Sequence, residues 1–306
     1  MPKFKPIALS SVPIFCLAFN ILGFSSGELL SPIKNLEASI AAATSHGSIV
    51  AVQSDYDDAI ILISRSPTVR SNLTLASIRN HGEDCIDCDE IFGSEVSTGP
   101  VSVTSGMVYA MNPQLVIGMT GLASDVRHLS RYLGKLNTNY VHLHGRSFSL
   151  SSIKATQSLS SKMAHTASVS GARPFGVEAI IIGSGGMIAT IDPSGGLRTW
   201  GDGACIGKYS NQVRNHLTSL LKSNKDDDNE TLQCKQEEDY IEKSLRFGIE
   251  AIVKAYHDSE GCLGPNICPE QFECIVVWSC SGKKSRIINK ACIRTVFERC
   301  CEIVNQ

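Results

Sequence analysis

The sequence predicts a mixed α/β fold of the α+β kind: a four-layer α-β-β-α sandwich of two antiparallel sheets flanked by helices. Short β-rich runs occur in pairs separated by tight turns, which favours hairpins over alternating βαβ units. Between these strand blocks the apolar residues change to a spacing of three and four, which is typical of amphipathic helices, and the helices also come in pairs. A chain in this order can cover one face of each sheet with helices and bury the two other faces against each other.

Size and charge limit the kinds of partner. The chain has 306 residues, of which 42% are hydrophobic and 19% charged, as in a folded globular protein. Its formal net charge is −2, and the charged residues are scattered along the sequence rather than clustered. We therefore expect no nucleic-acid partner and no membrane partner, since both need a concentrated basic footprint.

The first half of the chain is predicted to form a hairpin, a long loop, one more strand and two helices. From Leu122 the apolar positions Val126, Leu129 and Leu133 recur at helical spacing, which marks the first of these helices. The predicted elements are strands 48–54 and 58–64, a polar inserted loop over 66–106, strand 114–121, a helix from 122 through 136 and a helix over 150–167.

The second half repeats the alternation of strand blocks and helices. Val, Ile and Thr dominate the runs 177–183 and 187–191, and these residue types are preferred in half-buried strands. The acidic stretch "SNKDDDNE" indicates a solvated linker, within 223–234. The predicted elements are strands 177–183, 187–191 and 197–205, helices 209–222 and 236–257, strands 272–279 and 285–289, and a final helix over 290–304.

The N-terminal segment, residues 1–46, allows two interpretations. Lys3 and Lys5 precede an uncharged run from Pro6 to Gly27, an order that is typical of a secretory targeting peptide. The alternative is an ordinary segment that packs against the body of the protein or against a neighbour. This stretch by itself favours the targeting peptide, whereas the rest of the chain favours the ordinary segment.

The twelve cysteines leave metal binding and reduced thiols as alternatives. Cys85 and Cys88 have metal-ligand spacing without a second pair nearby, and the spacing of Cys262 and Cys268 fits a zinc site poorly. Other cysteines stand inside apolar runs, where cysteine behaves as a small buried hydrophobe: Cys205, Cys274, Cys280 and Cys292. Reduced thiols are favoured, and we expect no bound metal.

The glycine-rich turn "GSGG" (183–186) raises the question of phosphate binding. The turn lacks the GxxxxGK[ST] spacing of a phosphate loop, and no helix is predicted directly after it. A tight turn between two strands is therefore favoured, and we expect no cofactor.

Four motifs resemble those of proteasome subunits, specifically of the α-type. They are "TGLASDVRHL" (120–129), "RPFGV" (173–177), "DPSG" (192–195) and "ACIG" (204–207), and "GSIVAVQ" (47–53) is similar to the family's first strand. The similarity covers residues 47–223 and continues to the C-terminus by element order. It implies structural roles for Gly121, Leu122, Asp125, Arg127, Arg173, Pro174, Phe175, Gly176, Asp192, Pro193, Ser194, Gly195 and Gly207.

The resemblance implies an N-terminal-nucleophile hydrolase-like fold and a non-catalytic role. Residues 47–306 would form the subunit domain, and residues 1–46 a divergent segment that is either the family's gate and helix segment or a targeting peptide. The partners implied are other α subunits in a seven-membered outer ring, the β-ring subunits, and regulatory particles or activators. The function implied is gating of the 20S core for ubiquitin-dependent protein degradation, in the cytoplasm and nucleus.

Catalytic members of the superfamily use a threonine freed at the start of the first strand. Here that position falls at Gly47 or Ser48, no Gly-Thr-Thr junction is present, and Ile63 and Ser64 stand where an orienting carboxylate is expected. We therefore expect no catalytic residue. A hydrolase that uses Ser48 after cleavage is retained as an alternative.

The sequence also departs from the α-type pattern. Counting back from Gly121, the lysine of the family's activator pocket falls at Met107, which carries no charge for a terminal carboxylate. The family's N-terminal motif is reduced to "FSSGELL" (24–30) or "LSPIKNL" (30–36). A secreted or anchored relative of the same fold is a further alternative, supported by the targeting-like N-terminus and the sequons at Asn72 and Asn229.

Overall fold

The structure, a computed structural model, describes most of the chain between Pro32 and Val304. The described residues are 32–54, 59–67, 91–95, 101–102, 107–112, 114–145, 150–169, 172–183, 185–227, 237–261, 267–278, 283 and 285–304. The predictions for the uncharged run from Pro6 to Gly27, for both sequons and for Cys85, Cys88 and Cys262 lie outside these residues.

The strands of the described residues form two six-stranded antiparallel sheets. The first sheet has the strand order β10-β1-β2-β11-β12-β3, and the second has the order β4-β5-β6-β7-β8-β9. The strands are β1 Ser48–Gln53, β2 Ile60–Arg65, β3 Phe92–Glu95, β4 Val101–Ser102, β5 Val108–Asn112, β6 Leu115–Gly121, β7 Val177–Gly183, β8 Met187–Ile191, β9 Leu197–Trp200, β10 Gly203–Gly207, β11 Phe272–Val277 and β12 Arg286–Ile288.

Helices cover the outer face of each sheet. The helices of the described residues are α1 Pro32–Thr44, α2 Ala123–His144, α3 Ser152–Ser168, α4 Ser210–Asp227, α5 Glu237–Glu260 and α6 Lys290–Val304. Helices α2 and α3 pack on the second sheet, and α4, α5 and α6 pack on the first. The predicted four-layer sandwich of two antiparallel sheets is confirmed.

Strand β1 shows how the core forms on both sides of a sheet. Ile49 and Ala51 face the apolar layer between the two sheets, whereas Val50 and Val52 face the apolar cluster beneath the outer helices. All four side chains are fully buried, because both faces of the sheet are covered. This explains why the strand reads as a continuous apolar run rather than as an alternating pattern.

The predicted strand 197–205 is two strands, and they belong to different sheets. β9 pairs with β8 in the second sheet, whereas β10 pairs with β1 in the first. The chain turns at Gly201 and Asp202, and the carbonyl of Asp202 accepts a hydrogen bond from the backbone N–H of Gln53 at 2.9 Å. A single strand could not supply edges to both sheets, so the prediction was wrong at this turn.

The sequence pattern also missed several elements. Helix α1 lies in the N-terminal segment 1–46, for which a gate and helix segment was one of two interpretations without helix bounds, and β5 lies in a stretch assigned to no element. β3 and β4 fall inside the predicted loop 66–106, and β3 completes the first sheet by pairing with β12. These strands have two to five residues, too few for a periodic signal. Helix α4 extends five residues into the predicted linker, and the rest of that linker lies outside the described residues.

No helix among the described residues combines the length and the apolar character that crossing a membrane requires.

Candidate functional site

Four glycines from separate motifs meet at one end of the sandwich, which we call the motif end: Gly47, Gly121, Gly176 and Gly207. Ser48 pairs with Gly207 in the first sheet, and Gly121 pairs with Val177 in the second. The backbone N–H of Leu122 donates to the carbonyl of Gly176 at 2.9 Å, and that of Lys208 donates to the carbonyl of Gly47 at 2.8 Å. Motifs far apart in sequence thus form one backbone network.

Asp125 connects two of these motifs. Its carboxylate accepts hydrogen bonds from Nη2 of Arg173 at 2.8 Å and from the backbone N–H of Gly176 at 3.0 Å. Burial by itself would raise the pKa of Asp125, but the hydrogen bonds from Arg173 and Gly176 outweigh it and hold the pKa below its usual value. The charged carboxylate therefore ties the start of α2 to the segment that enters β7.

Three further motif residues, Arg127, Pro174 and Phe175, make contacts near the Asp125 carboxylate or within their own helix. Phe175 stacks on the ring of His128, with ring centres 5.6 Å apart. Arg127 is exposed, and its Nε donates to the carbonyl of Ala123 at 3.3 Å. The carbonyl of Pro174 accepts hydrogen bonds from Nη1 of Arg173 and from Ser39, both at 3.2 Å.

Helix α1 docks on this network. Besides the bond from Ser39, the Ala43 carbonyl accepts a hydrogen bond from Oγ1 of Thr120 at 3.1 Å. Ser39 and Ala43 are buried on the inner side of the helix. A Cβ added at Gly176 would lie 3.2 Å from the Ala42 side chain, so the absence of a side chain there lets the helix approach closely.

Ser48, the candidate nucleophile, is buried directly after this helix. It is 1% exposed, and its Oγ donates to the carbonyl of Lys208 at 2.8 Å and lies 2.9 Å from the hydroxyl of Tyr256. Its backbone continues from Gly47, so a free amine that could act as a base would arise only after cleavage before Ser48. In this arrangement the hydroxyl serves as a structural hydrogen-bonding group.

The residue opposite Ser48 is a cation. The strand register pairs Ser48 with Arg65, whereas Ile63 and Ser64, the residues expected there, pair with Val50 and Ile49. The guanidinium carbon of Arg65 lies 3.9 Å from the centre of the Tyr256 ring. The described residues therefore place no carboxylate in register with Ser48 on the neighbouring strand.

Lys208, whose carbonyl accepts the hydrogen bond from Ser48, has its own side chain in an ion pair. Nζ of Lys208 lies 2.9 Å from Oε1 of Glu260, and the hydroxyl of Tyr209 donates to the same oxygen at 3.3 Å. The hydrogen bond from Lys208 lowers the pKa of Glu260. Both charged groups are thus held in an ion pair rather than directed at the Ser48 hydroxyl.

Met107 lies against Gly47, the residue that precedes Ser48. Its side chain packs against Gly47, because a Cβ added there would lie 2.7 Å from the terminal methyl of Met107. The side chain is 9% exposed and belongs to the apolar layer between the sheets. The position at which the family resemblance implies a lysine is therefore apolar and buried in this chain.

Glu178 links the two sheets at the motif end. It lies on β7, and its Oε2 accepts a hydrogen bond from the backbone N–H of Gly207 on β10 at 2.9 Å. Burial raises the pKa of Glu178, and the nearby Asp192 carboxylate adds to this shift. The sequence pattern did not single out Glu178, because its partner lies 29 residues away in another sheet.

The "DPSG" turn has a structural role. Oδ1 of Asp192 accepts hydrogen bonds from the backbone N–H groups of Ser194 and Gly196, both at 2.9 Å. Oγ of Ser160 on α3 donates to the carbonyl of Gly195 at 2.7 Å. Pro193 stands at the second position of this turn, where its restricted φ is favourable. The turn thus joins β8 to β9 and docks on α3.

The described residues offer no metal centre: no group of three or more His, Cys, Asp or Glu side chains lies close enough to hold an ion. Of the two cysteine pairs weighed as zinc ligands, Cys268 is the described member, and it forms no disulfide. The turn at Gly185 and Gly186 connects β7 to β8 as a hairpin, with no helix after it. Nothing in this turn meets the requirements of a phosphate loop.

Comparison with known families adds to this geometry. The family model described as "Proteasome subunit" matches residues 94–246, half of the chain. The chain belongs to the proteasome subunit family. A comparison with curated proteins found no significant match. Because the proteasome family contains catalytic β-type and non-catalytic α-type subunits, membership by itself leaves the type of this proteasome subunit to be argued from the site.

Proposed function

We propose that the chain is a non-catalytic α-type subunit of the 20S proteasome core, one of seven in the outer ring. The observation that carries the proposal is the state of Ser48. Its hydroxyl is buried and bonded to Lys208 and Tyr256, and the neighbouring strand places Arg65 rather than a carboxylate in register with it. An N-terminal nucleophile needs an accessible hydroxyl beside a base, whereas the hydroxyl of Ser48 is enclosed by structural hydrogen bonds.

The α-type motifs support the same assignment. Asp125, Arg173 and Gly176, which the resemblance named as structural positions, bond to one another at the motif end. Helix α1 packs on this network, which is compatible with a segment that stays attached to the subunit. In this role the chain contributes to a ring that gates substrate access for ubiquitin-dependent degradation, in the cytoplasm and nucleus.

The partners proposed are the other α subunits of the ring, the β-ring subunits, and regulatory particles or activators at neighbouring positions. Such rings need a heterologous interface that closes after seven copies. The buried methionine at position 107 makes charge recognition of an activator's terminal carboxylate at this subunit's own pocket unfavourable. Activators would then dock through other subunits.

Native co-purification tests the proposal. The tagged chain is purified under native conditions, and the intact chain and its partners are identified by mass spectrometry. We expect recovery with other α and β proteasome subunits, and no cleavage before Ser48. A chain recovered alone with glycosylated Asn72 or Asn229 would instead support the secreted relative.

The hydrolase alternative is tested by S48A, with S45A at an exposed serine as the matched control. We expect both variants to leave peptide hydrolysis by the assembled complex unchanged. S48A should lower the free energy of unfolding by about 1–2 kcal/mol, since two buried hydrogen bonds are lost. Hydrolysis that requires a new N-terminus at Ser48 and disappears in S48A, while its melting curve stays cooperative, would overturn the non-catalytic assignment.

A further inference from the structure

The corner between β10 and α4 contains a strained residue. Tyr209 has a φ of 56°, and it is the only residue other than glycine with a positive φ in the part of the chain that the structure describes. In this left-handed region Cβ comes too close to the following carbonyl oxygen, so a bulky residue is disfavoured. The carbonyl of Tyr209 accepts a hydrogen bond from the backbone N–H of Val213 at 3.0 Å. The strain therefore lies where the chain leaves the first sheet and enters α4.

The same corner lies over Ser48. The backbone N–H of Lys208 donates to the carbonyl of Gly47 at 2.8 Å, and the carbonyl of Lys208 accepts the hydrogen bond from Oγ of Ser48 at 2.8 Å. Both backbone groups of one residue thus bond to positions 47 and 48. We call residues 207–210 the strap. Since the strap supplies one of the partners of the Ser48 hydroxyl, its displacement would leave this hydroxyl open to water.

The side chain of Tyr209 holds the strap against the body of the protein. Its ring meets the Tyr256 ring edge to face, with ring centres 4.8 Å apart and an angle of 81°. Nζ of Lys208 lies 4.6 Å from the centre of the Tyr209 ring, and the Tyr209 hydroxyl donates to Glu260 at 3.3 Å. Tyr256 is a firm support, because it is 1% exposed and the Arg65 guanidinium stacks on its ring.

The strain and the ring contacts are of similar size. The free-energy cost of the left-handed conformation is of the same order as the gain from one edge-to-face aromatic pair. Loss of the ring contacts is therefore sufficient to shift the balance at position 209. The strap also follows β10, which lies at the edge of the first sheet, and segments at an edge open more readily than central strands.

We propose that the strap is a strained cover over Ser48, which the Tyr209 ring keeps closed and which opens locally while the two-sheet core stays folded. A corner that only connected β10 to α4 would be more stable with glycine or asparagine at this φ. The tyrosine accepts the strain, and its ring gains contacts that close the space beside Ser48.

Opening of the strap concerns access and not catalysis. The neighbouring strand places Arg65 in register with Ser48, so the uncovered hydroxyl would still have no carboxylate in register with it among the described residues. The inference is also independent of ring membership, because every contact on which it depends lies within this chain. Its test therefore measures access to position 48 rather than peptide hydrolysis.

Hydrogen exchange of the full chain, purified under native conditions, measures the opening. Y209A removes the ring contacts and keeps the strain, whereas Y209G removes both, because glycine adopts a positive φ without strain. Y140A is the matched control at another half-buried tyrosine, on α2. After correction for intrinsic rates, we expect the amides of residues 207–213 to exchange roughly tenfold faster in Y209A, which corresponds to loss of one aromatic contact. The increase should be smaller in Y209G and absent in Y140A.

Two further measurements do not depend on the stability of Y209A alone. In the wild type, the amides of the strap should exchange faster than those of β2, which is paired on both sides. The thiol introduced by S48C reports access to position 48 directly. With iodoacetamide at about pH 8, it should react roughly tenfold faster in S48C/Y209A than in S48C. Buried Cys274 should stay unreactive in both samples, which excludes unfolding of the core.

Four results would overturn the inference. Exchange of residues 207–213 that is unchanged in Y209A, or equally raised in Y140A, would show that the Tyr209 ring does not hold the strap. Exchange in Y209G as fast as in Y209A would remove the strain. Wild-type exchange of the strap no faster than that of β2, or reaction of S48C only together with Cys274, would mean that the cover opens only when the core unfolds. None of these outcomes depends on which subunits are recovered with the chain, so this inference and the proposed function fail separately.

Discussion

At the scale of single residues, buried polar groups hold the motif end together. Asp125 bonds a side chain and a backbone N–H from another segment, Glu178 bonds the backbone of the other sheet, and Ser48 bonds a carbonyl and a phenol. Each group is buried or largely buried, so its partner must come from the protein rather than from water. Loss of such a group leaves the remaining partner unsatisfied, which makes these residues more sensitive than exposed ones.

Asp125 gives the sharpest test at this scale. D125N should lower the free energy of unfolding at neutral pH by about 2 kcal/mol, because an amide cannot accept from both Arg173 and Gly176 as a carboxylate does. R173M should cost less than about 1 kcal/mol, since the Arg173 side chain is 56% exposed and its ion pair is screened by water. Urea unfolding of both variants tests whether D125N loses more stability than R173M. Equal losses would mean that the Gly176 hydrogen bond contributes little.

The same variant predicts a pH dependence. The pKa of Asp125 is lowered in the folded protein, so its stabilising effect is fully present above the pKa of the unfolded chain, about 3.9, and is lost as pH falls through the folded value. The difference between wild type and D125N should therefore be constant near pH 6 and shrink below about pH 4. If the stability difference between wild type and D125N stays constant at low pH, the stabilising effect of Asp125 does not come from its charged carboxylate.

At the scale of elements, helix α1 docks on the backbone network of the motif end. Its inner side carries Ser39 and Ala43, and its contacts reach β6 and the segment before β7. The inner residues are small, which lets the helix lie close to the backbone at Gly176. A larger side chain on the inner side should therefore lift the helix, whereas the same change on the outer side should not.

Two alanines of α1 make a matched pair for this prediction. Ala43 is fully buried and Ala41 is exposed. A43L should destabilise the docked helix by about 1–3 kcal/mol through overpacking, and A41L should change stability by less than about 0.5 kcal/mol. Hydrogen exchange of the amides in residues 32–44 measures the docking directly. Unchanged exchange in A43L would show that α1 is not held by its inner side.

At the scale of the whole molecule, the two-sheet core controls the chemistry of the cysteines. Cys205, Cys274 and Cys300 are buried in the cluster beneath α4, α5 and α6. Burial raises the pKa of Cys205 to about 11 and that of Cys300 to about 12, and it also raises the pKa of Cys274. Since the thiolate is the reactive form, these thiols should be inert in the folded state.

Alkylation with iodoacetamide at about pH 8, read peptide by peptide, checks this prediction. Cys205, Cys274 and Cys300 should react at least about a hundredfold more slowly in the folded protein than after unfolding, and Cys268, which is partly exposed, should react faster than these three. The unfolded chain is the control for intrinsic reactivity. Fast modification of Cys274 in the native state would mean that the core opens readily.

The sequence by itself determined the order of most elements and the layer architecture. Short apolar runs and the helical period of 3.6 residues are local properties, so the hairpin of β1 and β2 and the helices α2 and α3 could be recognised from a few consecutive residues. The motifs around Gly121, Arg173 and Asp192 were also visible, because turn residues carry their own conformational signal.

Only the tertiary structure decided what these pieces bring together. The partners of Ser48 lie 160 and 208 residues away in the chain, and no local pattern connects Ser48 with Lys208 or Tyr256. The assignment of β9 and β10 to different sheets depends on which sheet edges are free. These features arise from long-range contacts, which form only when the whole sandwich is assembled.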